Sequence, residues 1–361
     1  MKTLIINPGS TTTKLAVFEN EDLIFEHKLD HAADPKFQEK FSNIGNIFDQ
    51  FQYRFEAISK ILEENKLTEF DAIVGRGGML PPLTSGTYQI NDKMLDDLRN
   101  HAQANHASNL GAPIALELAK KFNITDEAFI VDPVTTDEIE DKFKITGIPE
   151  IRRYAGWHAL NQKAVARHYA KDCGKSYDSL NLIVAHLGGG FSFGAHKKGK
   201  TINVTNALAG EGPMSPERSG QVPAQGLINL CFSGKYTKEQ LINLIAGGGG
   251  LFAHLKTKDL IDLENRYPTM NKEEKDIVDA MFTGISRSIC SLIPDFEGEK
   301  VDQILITGGV ARWKGLIENI KKDLSSLNIG ISVYPGEKEL EALRDGALRI
   351  LNNEEKAKEY K

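Results

Sequence analysis

The chain has 361 residues, of which 40% are hydrophobic and 26% are charged, the balance of an ordinary soluble globular protein. This length predicts two domains rather than one. The formal net charge of −6 disfavours a nucleic-acid partner, because such binders usually carry a basic surface, although a locally basic site can still bind an anion.

The first predicted elements are three short β-rich runs separated by turns. Residues 3–6 precede the turn cluster 7–13, a second run at 14–18, a charged turn at 19–22 and a third run at 23–25. Apolar and β-branched residues between polar turns are typical of strands. We therefore predict an antiparallel meander at the start of the chain.

The same order recurs in the second half of the chain. Apolar residues 182–185 lead into the glycine turn 186–190, and two further runs, 191–195 and 201–204, flank a charged turn. Recurrence of one plan predicts a duplicated domain. Two unrelated hairpins are the alternative that this feature alone leaves open.

Helical periodicity alternates with short apolar runs in the rest of the chain. Apolar residues recur at helical spacing in residues 47–64, 112–122, 160–171, 272–293, 314–327 and 338–351. Strand candidates lie at residues 72–74, 128–131 and 303–306. This alternation predicts an α/β protein with ligand sites at the ends of its strands. We place the domain boundary near residues 147–149 and expect the polar tail, 352–361, to be frayed.

Cysteine use and hydropathy predict a cytoplasmic protein. Cys173, Cys231 and Cys290 are far apart, which disfavours a zinc or iron–sulfur site and predicts buried thiols in a reducing cytosol. A polar turn interrupts residues 1–17, so we expect no signal peptide. We find no run of the roughly 18 apolar residues that a membrane span needs, and we expect no membrane partner.

Three turns have the composition of phosphate-binding loops. They are residues 7–14, with one glycine, several hydroxyls and a lysine, residues 186–190, with three consecutive glycines, and residues 307–311, with a glycine pair before a helix. Glycine lets backbone N–H groups approach an anion closely, and a helix N-terminus favours phosphate. An ordinary hairpin turn, a β-bulge and a tight strand-to-helix turn are the respective alternatives. The sequence has neither the P-loop nor the dinucleotide-binding glycine pattern.

In this order, the three turns resemble the signature of the acetate and sugar kinase/actin superfamily, and the wider pattern resembles its acetokinase family. Further matching runs lie at residues 73–78, 105–109, 131–133, 157–159, 211–220 and 339–346. The resemblance covers nearly the whole chain. It implies two duplicated actin-like, ribonuclease-H-like α/β domains with a nucleotide cleft between them. These domains would span residues 1–150 and 151–337, with a helix at 338–352 packing back on the first.

The resemblance also implies an enzyme that uses ATP/ADP and Mg²⁺ to phosphorylate a short-chain carboxylic acid. The short run at residues 75–78 and the glycine at 189 differ from the acetate kinase pattern, which favours butyrate as the acceptor and butyryl phosphate as the product. Isobutyrate, propionate and acetate stay open as acceptors. An actin-like or chaperone-like ATPase module, which would act on no acid, is the alternative of a different class. Members of the family are oligomers, so we expect a homo-oligomer, a dimer or larger.

Five residues match catalytic positions of the family: Arg76, Asp132, His158, His186 and Arg218. The planar fork of arginine suits carboxylate and phosphoryl oxygens. A carboxylate acceptor, with a pKa of about 4 to 5, is already ionised at pH 7 and needs no base, so Asp132 suits Mg²⁺ better than a proton. Surface arginines, structural histidines and a helix N-cap at Asp132 are the alternatives.

The resemblance assigns the remaining site residues to ATP and to the metal. Asn7, Ser10 and Lys14 would hold the γ-phosphate, Gly188, Gly189 and Gly190 the β-phosphate, and Gly308 and Gly309 the adenosine. Glu339 resembles a metal-binding glutamate, but it also begins a helix, where the dipole favours any acid. Four residues are hypotheses for the wall of the acyl pocket: Leu80, Trp157, Phe191 and Pro223.

Overall fold

The computed structural model describes residues 1–41 and 45–361, and the chain divides into two compact units. The N-terminal unit comprises Met1–Thr136 and Lys338–Lys361, and the C-terminal unit comprises Asp137–Glu337. The boundary lies before the expected residues 147–149, because the segment after Thr136 is bonded to the C-terminal unit. Glu140 N donates to Ile202 O at 2.9 Å, and Arg153 forms an ion pair with Glu211 at 2.8 Å.

The N-terminal unit is built on a mixed sheet of seven described strands in the order β12-β5-β6-β4-β1-β2-β3. Its strands are β1 (Lys2–Pro8), β2 (Thr12–Glu19), β3 (Asp22–Asp30), β4 (Ala72–Gly75), β5 (Thr87–Gln89), β6 (Ala128–Val131) and β12 (Lys358–Glu359). Its helices are α1 (Pro35–Phe41), α2 (Phe51–Glu64), α3 (Asp92–Asn100), α4 (Gly111–Lys121) and α13 (Glu339–Leu351).

Three neighbouring strands of this sheet, β1, β4 and β6, are parallel. Each is short and fully apolar at its centre, as expected of strands with both faces covered. Parallel strands end at the same edge of a sheet, so the loops after β1, β4 and β6 share one edge. Three predicted site residues lie at this edge: Asn7 near the end of β1, Arg76 after β4 and Asp132 after β6.

The C-terminal unit is built on a sheet of five described strands in the order β11-β10-β7-β8-β9. The strands are β7 (Asn181–Leu187), β8 (Phe191–Lys197), β9 (Lys200–Val204), β10 (Gln303–Gly308) and β11 (Gly330–Pro335). The helices are α5 (Asp141–Lys144), α6 (Ala159–Asp172), α7 (Ala224–Cys231), α8 (Lys238–Ile245), α9 (Gly250–Leu255), α10 (Leu260–Arg266), α11 (Lys272–Ser291) and α12 (Lys314–Asp323). Because β10 runs parallel to both β7 and β11, the loops after these three strands again share one edge.

The repeated plan that the sequence predicts is present in both units. Each sheet contains an antiparallel meander, β1-β2-β3 in one and β7-β8-β9 in the other, and each is extended by strands parallel to its first member. A register shift interrupts the second pairing of both meanders, at Val17/Phe18 and at Ala195/His196. The predicted two-domain α/β fold is therefore confirmed.

The prediction of a frayed C-terminal tail is wrong. Lys358 and Glu359 form β12, which pairs with β5 at the sheet edge. Tyr360 is buried and donates a hydrogen bond to Asp97 Oδ2 at 2.8 Å. Strand pairing and one buried aromatic side chain thus hold a polar segment that composition alone assigns to solvent.

The expectation of buried cysteine thiols needs correction. Cys173 and Cys231 are exposed and Cys290 is half-buried, so the thiols are not the buried group that was expected. The segment Lys272–Phe296, with a mean hydropathy of 1.2, is long and apolar enough to cross a membrane by length and composition alone. Its buried side chains, Val278, Met281, Phe282, Ile285 and Ile289, belong to the core of the C-terminal unit, which is the ordinary position of a core helix.

Candidate active site

The first cluster of predicted residues lies at the edge of the N-terminal sheet where β1, β4 and β6 end. Asn7 lies near the end of β1, Arg76 follows β4 and Asp132 follows β6. Glu339 is the first residue of α13. The sheet topology therefore brings together four residues that are far apart in sequence.

Arg76, Glu339 and Asn7 form one hydrogen-bonded group. Arg76 Nη1 lies 2.5 Å from Glu339 Oε1, and Asn7 Nδ2 donates to Glu339 Oε2 at 2.7 Å. Burial raises the pKa of Glu339, but Arg76, Asn7 and then Lys14 outweigh this effect, so the pKa stays below its ordinary value. The carboxylate is thus ionised and both of its oxygens have protein donors.

The backbone at Arg76 is fixed by a close contact between β4 and α4. A Cβ added to Gly75 would lie 2.2 Å from Gly111 O, and one added to Gly111 would lie 2.3 Å from Arg76 O. Only glycine at both positions allows this approach. The pair of glycines therefore places the arginine backbone directly against the start of a helix.

Asp132 is buried and its carboxylate is oriented by the loop before β5. Its Oδ1 accepts hydrogen bonds from Ser85 Oγ at 2.6 Å and from Gly86 N at 2.7 Å. Its backbone has a φ of +38°, which is costly for a residue other than glycine. Residues 135–140 form no helix, so the N-cap alternative for Asp132 is wrong. Sequence reasoning missed Ser85 and Gly86 because a serine–glycine pair in a loop is too common to single out.

A buried arginine that the sequence analysis did not select holds the turn after β1. Arg54, on α2, is 0% exposed, and it donates to the carbonyls of Gly9 and Ser10 at 3.0 Å and of Thr12 at 3.3 Å. It also donates to Thr13 Oγ1 at 3.0 Å. Burial lowers the pKa of Arg54 to about 10, so the guanidinium remains charged at neutral pH. These contacts fix the direction of the carbonyls in the turn.

The same turn has amides available to an anion. The carbonyl of Thr11 accepts from His31 N and Ala32 N, but no acceptor pairs with the amides of Ser10 and Thr11 within residues 1–41 and 45–361. Ser10 is exposed, and so is Lys14, which pairs with Asn7 across the hairpin. A turn whose carbonyls are bonded inward and whose amides remain unpaired has the donors that a phosphate needs.

The second cluster lies at the edge of the C-terminal sheet where β7, β10 and β11 end. Gly188, Gly189 and Gly190 follow β7, and Gly308 ends β10. Gly308 has a φ of +96°, and a Cβ there would lie 2.2 Å from Leu187 O. The two predicted glycine loops are therefore neighbours, and Gly309 begins the short 3₁₀ helix Gly309–Arg312 as an exposed residue.

His158 and His186 stack face to face in this unit. Their ring centroids are 3.9 Å apart and their planes differ by 15°. His158 is half-buried and its Nδ1 lies 2.8 Å from Ser192 Oγ. His186 is 0% exposed, and neither of its ring nitrogens has a hydrogen-bond partner among the described residues; the nearest carboxylate, of Glu337, is 3.5 Å away.

Arg218 lies beside the triple-glycine loop. A Cβ added to Gly190 would lie 2.9 Å from Arg218 Nε, so glycine makes room for the guanidinium. Arg218 Nη1 donates to Ala207 O at 2.7 Å, while its Nε is buried without an acceptor in the described part of the chain. Burial lowers the pKa of Arg218 although Glu217 opposes the effect. A buried donor of this kind is one that a bound anion would satisfy.

Three of the four residues suggested for an acyl pocket lie in the protein interior. Leu80, Trp157 and Phe191 are each 3% exposed or less and belong to hydrophobic core clusters, whereas Pro223 is exposed. Large apolar residues are more often buried in a core than exposed in a site. Their type alone therefore did not identify a pocket wall.

Comparison with known proteins gives a consistent result over the full length of the chain. The model of the Acetokinase family matches residues 126–355. The chain is 48% identical to "Probable butyrate kinase" of Clostridium botulinum (strain Alaska E43 / Type E3), with 99% of each chain covered. It is 46% identical to "Butyrate kinase 2" of Clostridium acetobutylicum, with 100% of this chain and 99% of the relative covered.

A solved structure supports the fold independently of these sequences. The crystal structure of Porphyromonas gingivalis acetate kinase matches with a TM-score of 0.78, covering 97% of this chain and 99% of the other, at 18% identity. At that identity the match concerns the fold, whereas the full-length sequence matches concern the family. The chain therefore belongs to the acetokinase family, whose members are kinases that use ATP and a carboxylate.

Proposed function

We propose that this enzyme transfers the γ-phosphoryl group of ATP to butyrate, giving butyryl phosphate and ADP in a reversible reaction. Relatives at 46–48% identity over nearly the whole chain bear the name butyrate kinase. The structural observation that carries the proposal is the guanidinium of Arg76, held at the edge of the N-terminal sheet by Glu339 and beside Asn7. Such a fork suits the carboxylate of the acceptor and the phosphoryl oxygens of the product.

The chemistry requires positioning rather than a base. The acceptor carboxylate is ionised at pH 7, so one of its oxygens attacks the γ-phosphorus directly while the bond from phosphorus to the β,γ-bridging oxygen breaks and ADP leaves. No proton is transferred in this step. The protein must therefore orient the two reactants and offset the charge of the phosphoryl oxygens.

We assign the reacting groups to the two units as follows. In the N-terminal unit, Arg76 binds acceptor oxygens, and Asn7, Ser10 and Lys14 bind the γ-phosphate through the turn that Arg54 holds. In the C-terminal unit, Gly188, Gly189 and Gly190 bind the β-phosphate, and Gly308 and Gly309 bind the adenosine.

Arg218 and the stacked histidines complete the assignment. The Arg218 Nε is a buried donor without a hydrogen-bond partner among the described residues, and it supplies a polar contact for a phosphoryl group. Since His158 is half-buried and His186 has no exposed surface, His158 is the histidine that we assign to direct contact with the phosphoryl oxygens. His186 supports it by stacking.

The residues of the N-terminal unit fit the Mg²⁺ that we propose as cofactor. Asp132 and Glu339 offer carboxylate oxygens, the ligands that Mg²⁺ prefers, and Asp132 is oriented by two fixed donors on its Oδ1. When bound, Mg²⁺ supplies charge neutralisation at the phosphate oxygens. Asp132 and Glu339 are the residues that would hold it.

We further propose that the enzyme acts in the cytoplasm and has neither a nucleic acid nor a membrane as partner. We also propose that it forms a homo-oligomer, at least a dimer. The support is an apolar surface on the C-terminal unit around α7, a helix of eight residues none of which is buried. Six exposed residues form it: Val222, Ile228, Leu230, Phe232, Tyr236 and Ile242, of which Phe232 is 87% exposed. A monomer rarely exposes so many large apolar side chains close together in sequence, so a second copy of this chain is the occupant that we propose.

The oligomer is tested by the molar mass of the protein in solution. Light scattering after size-exclusion chromatography should give a multiple of 39.9 kDa. Phe232→Asp should shift the mass toward the monomer, while Ile24→Asp, at an exposed isoleucine in the N-terminal unit, should not. A monomeric unmodified protein would contradict the proposal.

The reaction is tested by trapping acyl phosphate with hydroxylamine. The protein is incubated with ATP, Mg²⁺ and one acid from a panel of acetate, propionate, butyrate, isobutyrate and valerate, with glucose as a non-acid acceptor. We expect hydroxamate formation to be highest with butyrate. A maximum with isobutyrate, propionate or acetate would keep the acid kinase and change its substrate, because each methylene contributes only about 0.8 kcal/mol to binding. ATP hydrolysis without hydroxamate from any acid would favour the ATPase module.

A further inference from the structure

A buried chain of hydrogen bonds runs from Tyr177 to His158 through the interior of the C-terminal unit. Tyr177 Oη lies 2.7 Å from His196 Nδ1, and His196 Nε2 lies 3.0 Å from Gln162 Oε1. Gln162 Nε2 lies 2.8 Å from Ser192 Oγ, which lies 2.8 Å from His158 Nδ1. Gln162, Ser192 and His196 are all 0% exposed, so the middle of this hydrogen-bonded chain is shielded from bulk solvent.

Secondary structure explains why these residues meet. Ser192 and His196 are four positions apart on β8 and lie on one face of that strand, whereas His158 and Gln162 are four positions apart at the start of α6 and lie on one face of the helix. Gly194 lies between the two strand residues, and a Cβ there would be 2.4 Å from Gln162 Oε1. The glycine therefore leaves the space that the Gln162 amide occupies.

One backbone carbonyl fixes the orientation of the Gln162 amide in this series of hydrogen bonds. Gln162 Nε2 also lies 3.1 Å from Ser192 O, which can only accept, so the amide nitrogen must face Ser192 and the amide oxygen must face His196. His196 Nε2 therefore carries a hydrogen. Its Nδ1 accepts from the hydroxyl of Tyr177.

The same logic fixes the other end of the chain. Ser192 Oγ accepts from Gln162 Nε2 and, at 3.4 Å, from the backbone amide of His158. The one hydrogen of the hydroxyl is then left to donate to His158 Nδ1, which must be the unprotonated nitrogen of the ring.

We propose that Gln162 and Ser192 are positioning residues that hold His158 as the neutral imidazole with its hydrogen on Nε2. The inference deepens the proposed function, since an Nε2–H group is the donor that the transfer of a phosphoryl group would use at His158. Buried polar residues that fix one tautomer of an active-site histidine act through geometry and not through contact with the substrate. The tautomer itself depends only on the protein and not on the identity of the acid.

The tautomer is measured directly by long-range ¹H–¹⁵N NMR on protein labelled with ¹⁵N-histidine. The signals of His158 are assigned by their loss in His158→Gln. In the unmodified protein at pH 7.5 we expect Nδ1 to resonate as an unprotonated nitrogen and Nε2 as a protonated one. A protonated Nδ1, either in the other tautomer or in a cationic ring, would overturn the proposal.

Two substitutions then test whether Ser192 and Gln162 position His158. Ser192→Ala removes the donor to Nδ1, and Gln162→Glu replaces the amide donor by a carboxylate that can only accept, which should reverse the Ser192 hydroxyl and place a hydrogen on His158 Nδ1. We expect a changed Nδ1 signal in both variants and a fall in kcat of about 10- to 100-fold, the usual effect of losing a group that orients an active-site ligand. Ser288→Ala, at a half-buried serine of α11 that bonds Gly284 O, is the matched control and should change neither.

The outcomes separate this inference from the proposed function. Variants that keep the His158 signals and the rate of the unmodified protein would overturn the role of Gln162 and Ser192, even if the enzyme phosphorylates butyrate. Conversely, absence of phosphoryl transfer in the unmodified protein would refute the proposed function, while the NMR signals would still decide the tautomer. Near-UV circular dichroism of each variant shows whether the C-terminal unit has kept its packing, and Ser192→Ala, which only deletes an atom, answers the question if Gln162→Glu does not fold.

Discussion

The two units place their polar groups at the same edge of similar sheets, yet they treat those groups differently. In the N-terminal unit the charged groups are paired: Arg76 with Glu339, and Asp132 with Ser85 and Gly86. In the C-terminal unit the loops are made of glycine, and buried nitrogens of His186 and Arg218 form no hydrogen bond with the described residues. The two sheets are thus similar, but the charged groups at the edge of one are hydrogen-bonded within the protein, whereas these nitrogens at the edge of the other are not.

The difference indicates how a duplicated fold divides a reaction. An unpaired buried donor costs about 1–3 kcal/mol, so it persists where something outside the chain pairs with it. Paired groups hold their geometry before any ligand arrives, which reduces the cost of ordering them during binding. We infer that the N-terminal edge is preorganised by its own contacts and that the C-terminal edge is completed by its ligand.

The largest expected effect comes from removing the arginine of each edge. Arg76→Ala and Arg218→Ala should each lower kcat for hydroxamate formation by about 10³-fold, as loss of a phosphoryl-binding arginine does elsewhere. Their effects on stability should differ. Arg76→Ala leaves the Glu339 carboxylate without its cation and should lower the melting temperature. Arg218→Ala removes one hydrogen bond to Ala207 O together with an Nε that has no acceptor among the described residues, and it should lower the melting temperature less.

Differential scanning fluorimetry and the hydroxamate assay on both variants decide this comparison. Arg266→Ala, an exposed arginine of α10 that pairs with Asp262 four residues earlier, is the control and should leave both quantities unchanged. An equal loss of stability in the two variants would show that Arg218 is bonded within the protein as strongly as Arg76.

A second expected effect concerns the turn that Arg54 holds. Arg54→Met would leave the carbonyls of Gly9, Ser10 and Thr12 without their buried donor, at a cost of about 3 kcal/mol. We expect a lower midpoint of urea unfolding and a rise in KM for ATP larger than that for butyrate, because the turn would lose its fixed direction. Arg287→Met, at an exposed arginine of α11, is the matched control. An unchanged KM for ATP would separate this turn from the nucleotide.

How much of the fold and of the site the sequence could predict depends on how far apart in sequence the contacting residues lie. The meanders, the glycine turns and the core helices were predictable because each depends on local pattern. The pairing of Arg76 with Glu339 was not, since the two residues are far apart in the chain and only the parallel order of β1 and β4 brings them together. Both residues were selected for the site, but their contact needed the structure.

Two residues were missed although the sequence held a signal for them. Arg54 shares a helical face with Ile58 and Leu62, and Gln162 shares one with Ala166 and Ala170, all of them buried. A polar side chain on an otherwise apolar stripe is more informative than one on a polar face, because it must find partners in the core. The hydrophobic pattern thus predicts the helices, and the polar residues that interrupt it, Arg54 and Gln162, are the ones whose partners lie in the core.

The third expected effect is a pH dependence of stability that comes from His31 in the N-terminal unit. His31 is buried against Thr13 Oγ1 at 2.8 Å, and burial, followed by Arg54, lowers its pKa from 6.5 to about 4. Above pH 6.5 the ring is neutral in the folded and unfolded states, and its contribution to stability is complete. As the pH falls from 6.5 to about 4, only the unfolded state takes up a proton, so the free energy of unfolding should fall by up to about 3 kcal/mol.

Urea unfolding of the unmodified protein and of His31→Asn between pH 8 and pH 4 measures this effect. Because many carboxylates also titrate at low pH, the difference between the two proteins is the relevant quantity, and it should shrink as the pH falls. His196 is the counterpart in the C-terminal unit, where burial also lowers the pKa of the ring. A difference that is independent of pH for His31→Asn would mean that His31 titrates alike in both states.

The smallest expected effect tests whether the last residues of the chain belong to the N-terminal unit energetically as well as spatially. Tyr360 donates to Asp97 Oδ2 at 2.8 Å, and Lys93 bonds the other oxygen of the same carboxylate. Tyr360→Phe keeps the buried ring and removes one hydrogen bond to a charged acceptor, which should lower the free energy of unfolding by about 1–2 kcal/mol. Phosphoryl transfer should not change, since neither residue is near the edge where β1, β4 and β6 end. Tyr154→Phe, at an exposed tyrosine, is the matched control and should have no effect on stability. An unchanged free energy of unfolding in Tyr360→Phe would mean that the tail stabilises the protein only through apolar contacts. The hydrogen bonds at the edge where β1, β4 and β6 end would then not be typical of the whole N-terminal unit.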